Sequence, residues 1–194
     1  MTELLEFDAA EHVYSVNGRT LPSVTQVLNT QFPLNVPQDR LEFARALGKE
    51  IHYTTELYDR DKLDISSVDL RVMPYLEAWM KFRREMSCKI VEVEKQVHHS
   101  MLNFAGTLDR VLLMLGARCI VDLKRPLLTA RVGVQLAAYQ AAYNASAPDP
   151  ATRRFGIQLR NDGQYRLKEY SDPSDWSIFV SSLSIFNWRQ RHGD

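Results

Sequence analysis

The chain has 194 residues, 24 basic against 24 acidic, with 45% hydrophobic and 25% charged side chains. That length suits one domain with a core that stands without disulfide staples, and the composition excludes a disordered or fibrous chain. A net charge of zero removes any global electrostatic argument for a nucleic-acid partner. A polyanion-binding surface must then come from local groups such as Arg83-Arg84, Lys124-Arg125, Arg131, Arg153-Arg154, Arg189 and Arg191, and such charge pairs are more often solvated faces. Two cysteines, Cys88 and Cys119, offer neither metal-ligand spacing nor a disulfide framework. They point to a reducing compartment and are too few for an iron–sulfur cluster. The start, Met1 to Glu6, lacks the charged region and apolar run of a secretory signal, and no stretch reaches membrane-spanning length. The expectation is a cytoplasmic protein with no membrane partner.

From the N-terminus, Leu5 to Pro22 predicts two short strands, with Asn17-Gly18 as the hairpin turn. Ser23 is placed to N-cap a short helix through Val24 to Leu28. A Pro-containing connection, Phe32 to Pro37, leads to a helix from about Gln38 to Tyr58. The next helix spans about Val68 to Met86, with Pro74 imposing a kink or a late start. At Lys89 the pattern changes to strands. Ile90 to Val97, Phe104 to Leu115 and Cys119 to Lys124 predict a three-stranded meander whose second hairpin turns at Gly116-Ala117. A helix from about Thr129 to Ala145 follows, then strands Phe155 to Arg160 and Tyr165 to Tyr170. In the closing helix, from Pro173 or Ser174 to Arg191, the spacing of Trp176, Phe179, Leu183, Phe186 and Trp188 predicts a core face. This order gives an α/β sandwich with a mixed sheet.

Chemistry concentrates between Gly106 and Lys124. Asp109 and Asp122 each sit among large apolar residues, where an unpaired carboxylate is costly. Strand alternation puts Asp122 and Lys124 on one face and Leu123 on the other. An Asp-x-Lys pair alone is most often a salt-bridged surface couple. Two carboxylates meeting a lysine at one end of a hairpin, however, suit a hard divalent cation with an amine beside its water. Glu92 and Glu94 are predicted to share a face of the preceding strand, with Glu94 the better third carboxylate. Gln135 and Tyr139, four apart, share a helix face. Gly48, one turn before His52, is read as admitting a close backbone approach that lets the histidine reach an ion or a phosphate.

Gly106-Thr107-Leu108-Asp109, Asp122-Leu123-Lys124 and Gln135 to Tyr139, with the Gly48-to-His52 element upstream, resemble in their order the RecB-like branch of the PD-(D/E)XK nuclease superfamily. Tyr14 to Gly18 and Leu21 to Thr25 are similar to small phage and prophage members. The sequence departs from the superfamily's name at Leu108, where proline precedes the first acid, and places Arg125 where a small hydroxyl residue often follows the lysine.

The resemblance implies a restriction-endonuclease-like α/β sandwich, a central mixed sheet flanked by helices. Residues 1–88 would form an N-terminal hairpin and helical extension to a catalytic core at 89–194. It implies hydrolysis of DNA phosphodiesters, with Mg²⁺ or Mn²⁺ held by His52, Asp109, Asp122 and the Leu123 carbonyl, and with no iron–sulfur cluster. Lys124 would orient or deprotonate water, Glu94 would complete a second-metal site or position a water, and Gln135 and Tyr139 would orient these groups or contact the DNA backbone. The substrate would be single- or double-stranded DNA with a free end, as in phage-type exonucleases of recombination or repair, acting as a homo-oligomer or with a partner protein. The competing expectation is an inactive nucleic-acid-binding or assembly protein on the same fold.

Overall fold

The computed structural model describes residues 4–33, 38–125 and 128–193. Leu34 to Pro37, part of the expected Pro-containing connection, lie outside the described residues. Leu5–Asp8 (β1), Val13–Val16 (β2) and Arg19–Leu21 (β3) form a three-stranded antiparallel sheet, one strand more than expected. Val16 pairs with Arg19 across Asn17-Gly18, whose φ values of 52° and 74° are the left-handed pair that a two-residue hairpin turn requires. Helix α1, Val24–Gln31, starts in a capping box. Gln26 N–H donates to Ser23 Oγ at 3.1 Å and Ser23 N–H to Gln26 Oε1 at 2.8 Å, which satisfies two N–H groups the helix leaves open.

Helix α2 spans Gln38–Asp59 and α3 spans Met73–Met86. The expected Val68 start is thus too early. Pro74 lies in the first turn, where its missing N–H costs nothing. Then come β4 (Lys89–His99), β5 (Phe104–Met114), β6 (Ala117–Lys124), α4 (Ala130–Asn144), β7 (Arg153–Leu159), β8 (Tyr165–Glu169) and α5 (Ser174–His192). The five strands lie in chain order, antiparallel except for the β6–β7 pair, which is parallel across the α4 crossover. This is the expected mixed sheet. The β5–β6 turn is Leu115-Gly116, one residue earlier than predicted. Met114 pairs with Ala117, and Leu115 and Gly116 take the left-handed values of 52° and 73°, with glycine at the second turn position where it is favoured.

One core packs α1, α4 and α5, through Val24, Leu28, Leu136 and Phe179, onto Leu108 and Ile120. The other packs α2 and α3, through Ile51, Trp79 and Phe82, onto Leu112, Val121, Leu123 and Ile157. The aromatic stripe of α5 enters the first core at Trp176, Phe179, Leu183 and Phe186, but Trp188 is 49% exposed. Two residues past Phe186, it turns about 200° away from that stripe at 3.6 residues per turn.

Candidate active site

The β5–β6 ladder runs from Met114↔Ala117 to Arg110↔Val121. One step further on, Asp109 and Asp122 face each other, and the ladder gives way to a side chain, Asp109 Oδ2 accepting the Leu123 N–H at 2.6 Å. In an antiparallel ladder a residue's N–H and C=O lie on the same edge, so the Leu123 carbonyl lies on the β5 edge of the strand. Alternation places Leu123's side chain in the α2/α3 core and Asp122 with Lys124 on the opposite face, Nζ lying 2.7 Å from Oδ2. That oxygen is sealed from solvent and meets the ammonium as an ion pair.

Helix α2 brings His52 Nδ1 to 3.6 Å from Asp109 Oδ1 and 3.9 Å from Glu94 Oε1. One donor atom from each of the three lies within 4.8 Å of the others, a spacing that one cation can bridge. Glu94 has φ 48°, a left-handed conformation that costs a non-glycine residue about 1–3 kcal/mol and that clusters at ligand clamps. The β4–β5 register continues through it, Val93 pairing with Arg110 and Lys95 with Leu108. Glu92 pairs with Lys95 at 3.3 Å, whereas Glu94 turns to Arg110 at 2.9 Å.

From α4, Gln135 Nε2 donates to Tyr139 Oη at 3.3 Å. Burial raises the Tyr139 pKa, so the group stays a neutral phenol. Glu94, Asp109, Asp122, Lys124, Gln135 and Tyr139 line one cavity of about 220 Å³, together with Tyr14, Ser23, Thr25 and Thr107. A second cavity of about 190 Å³ adjoins it at Lys124 and is lined by Ala44, Arg45, Gly48, Ile51, His52, Leu123, Arg125 and Leu159. The backbone approach expected at Gly48 is not found. Among the described residues no atom lies within 4 Å of where its Cβ would be, and the missing side chain leaves cavity instead.

Burial pushes the Asp122 carboxyl up, with Asp109 adding to the rise and Lys124 opposing it. Burial alone would lower His52, but Asp109 and Glu94 outweigh it and hold the imidazole above 6.5. Lys124 is likewise raised despite burial, by Asp122 and Asp109. Three carboxylates thus face one ammonium, one imidazole and, at Glu94, the Arg110 guanidinium, and a nitrogen-plus-carboxylate donor set beside the sealed Asp122 oxygen fits a divalent cation.

The linkage has a definite sign. A raised His52 stabilises the folded state fully below 6.5 and loses that contribution as pH rises through its folded value. A raised Asp122 shifts stability the same way, from 3.8 upward. As the pH rises above about 6.5 the melting temperature of the metal-free protein is therefore expected to fall, and less steeply in His52→Gln. Calorimetry with a chelator present measures both slopes, and equal slopes would remove His52 as the source.

Sequence reasoning missed Arg110. It is fully buried in β5, 2.6 Å from Asp59 through Nε. The available signal was a second charge next to Asp109 in a strand otherwise apolar. Several basic groups offered as surface patches prove to be tied down. Arg83 pairs with Asp59, Arg153 with Glu169 and Arg154 with Asp175.

Fold and cavity together give the architecture expected from the resemblance, a central mixed sheet with helices on both faces. The similar solved structures agree. The chain resembles LHK-Exo in complex with dAMP, at 12% identity and a TM-score of 0.53, covering 89% of each chain. It also resembles the alkaline exonuclease LHK-Exo from Laribacter hongkongensis, at 11% identity and a TM-score of 0.51, covering 88% of each. These likenesses establish the fold. No family model and no curated protein matches the chain. Among the described residues no helix is long and apolar enough to cross a membrane.

Proposed function

We propose that this chain is a divalent-metal-dependent deoxyribonuclease, one nuclease domain over residues 1–194, hydrolysing phosphodiester bonds from a free DNA end. The observation that carries this reading is the convergence of His52 with Glu94 and Asp109, two carboxylates that line the cavity also holding the Asp122–Lys124 pair. His52, Asp109, Asp122 and the Leu123 carbonyl would hold Mg²⁺ or Mn²⁺, the nitrogen ligand favouring Mn²⁺, with Glu94 beside them for a second ion or a water. Such an ion makes a bound water more acidic and offsets charge on the phosphate.

The chain's own groups do the rest. Lys124 enters as an ammonium that orients the attacking water. Once its carboxylate neighbours are neutralised, what raised its pKa is gone and it gives up its proton more readily. Gln135 and Tyr139, both neutral, hold the scissile phosphate and the ligand side chains in register. Arg45 and Arg125, at the adjoining cavity, pair with flanking phosphates, and its apolar wall receives the neighbouring nucleotide. Attack from an end is supported by the fold shared with an exonuclease. A cytoplasmic role in phage-type recombination or repair, as a homo-oligomer or with a partner protein, is supported by the sequence resemblance.

The test uses end-labelled linear DNA and closed circular DNA, single- and double-stranded, with Mg²⁺, Mn²⁺ or a chelator. Linear DNA is expected to be degraded only with metal, and circles to survive. Cut circles would overturn the requirement for an end. Binding without products in either metal would favour the inactive nucleic-acid-binding module.

A further inference from the structure

We propose that Arg110 is the positioning residue of the metal centre, a single side chain that fixes all three elements carrying the His52–Glu94–Asp109 cluster. The inference rests on the nuclease reading above and adds a residue to it. Arg110 is fully buried, and each of its three guanidinium nitrogens is engaged. Nε donates to Asp59 Oδ2 at 2.6 Å and Nη2 to Thr55 Oγ1 at 3.1 Å. Nη1 donates to Glu94 Oε1 at 2.9 Å and to the Asp109 carbonyl at 2.7 Å. The guanidinium lies 5.7 Å from the centre of the Trp79 ring, and Trp79 Nε1 in turn donates to Asp59 at 2.9 Å.

His52, Thr55 and Asp59 stand at i, i+3 and i+7, one face of α2. By holding Thr55 and Asp59, Arg110 sets both the rotation and the height of that helix. Thr55 Oγ1, which accepts from Arg110, itself donates to the His52 carbonyl at 2.9 Å, so a continuous hydrogen-bond chain runs from the guanidinium to the backbone of the histidine. On β4 the same guanidinium takes the carboxylate of Glu94, the residue held in the left-handed conformation. On β5 it takes the backbone of Asp109. A planar fork with five donors can serve these partners at fixed angles, and a lysine ammonium, with three donors on a flexible stem, cannot. Asp59 keeps the buried charge compensated and is itself tied by Arg83 at 2.9 Å.

The experiment titrates Mn²⁺ into full-length wild type, Arg110→Lys and Thr55→Val without DNA, following affinity by calorimetry and nitrogen ligation by electron paramagnetic resonance. Thermal unfolding runs alongside. Arg110→Lys is expected to bind Mn²⁺ about 10–100-fold more weakly, the usual loss when a group orienting metal ligands is removed, with a weakened histidine-nitrogen signature. Thr55→Val, which keeps every charge, should weaken binding in the same direction even if Arg110→Lys fails to fold. A purely structural Arg110 would lower the melting temperature and leave the affinity and nitrogen signature of the folded variants at wild-type values. That result in the variants that fold overturns the proposal. A wild type that takes up no Mn²⁺ overturns the metal-centre reading, and this proposal with it.

Discussion

Lys124→Ala is expected to reduce metal-dependent DNA hydrolysis by about 10²–10⁴-fold, the range that a positioned proton-transfer group contributes, while DNA binding persists. Lys124 Nζ is the cation that Asp122 Oδ2 meets, so its removal leaves a buried carboxylate whose pKa burial already raises. Asp122 then protonates more readily and becomes a poorer metal ligand, a second loss on top of the missing amine. The two losses separate with pH. Raising the pH restores the ionised carboxylate but not the amine, so the variant should recover only part of its activity. Asp122→Ala should show no such recovery, because the ligand itself is gone. Single-turnover cleavage of end-labelled duplex over a pH series measures all three proteins. Wild-type rates in either variant would remove the Asp122–Lys124 pair from the chemistry.

What the sequence discloses about this centre follows a physical division. Asp122 and Lys124 are two apart in a strand, and Gln135 and Tyr139 four apart in a helix. Their shared faces follow from local geometry, and the structure places both pairs as alternation and helical pitch require. Ser23's cap and the Asn17-Gly18 turn are legible for the same reason, because each uses partners within three residues. Arg110 is different. Its partner Asp59 lies 51 residues away, and within the strand it reads as one more charge. Glu94 is legible as the third carboxylate of the cluster, but its left-handed φ is not, since nothing in an alternating strand pattern marks that backbone conformation. The spacing of Gly48 and His52 predicts a close backbone approach, yet among the described residues the missing side chain opens a cavity, a use that no local pattern distinguishes.

Gly106 shows how tightly the two sides of the cavity are matched. A Cβ on Gly106 would stand 2.7 Å from Tyr139 Cε1 and 3.5 Å from Val24 Cγ2. The ring cannot simply swing aside, since Tyr139 is 5% exposed and bonded to Gln135. Gly106 itself sits in β5 paired with Val97 of β4, so its backbone is pinned from the other side. Gly106→Ala is therefore expected to cost about 1–3 kcal/mol, the range for overpacking a filled core. It should also reduce cleavage by about 10²-fold through a displacement of Tyr139 on the order of 1 Å. Backbone conformation does not demand glycine here, because its φ is not among the left-handed values. The double variant decides the cause. In a Tyr139→Ala background the ring is gone, and Gly106→Ala should become nearly neutral in stability, giving a coupling of about 1–3 kcal/mol between the two positions. Denaturant unfolding of the wild type, both single variants and the double variant measures that coupling. A value near zero would mean that something other than the Tyr139 ring requires glycine at this position.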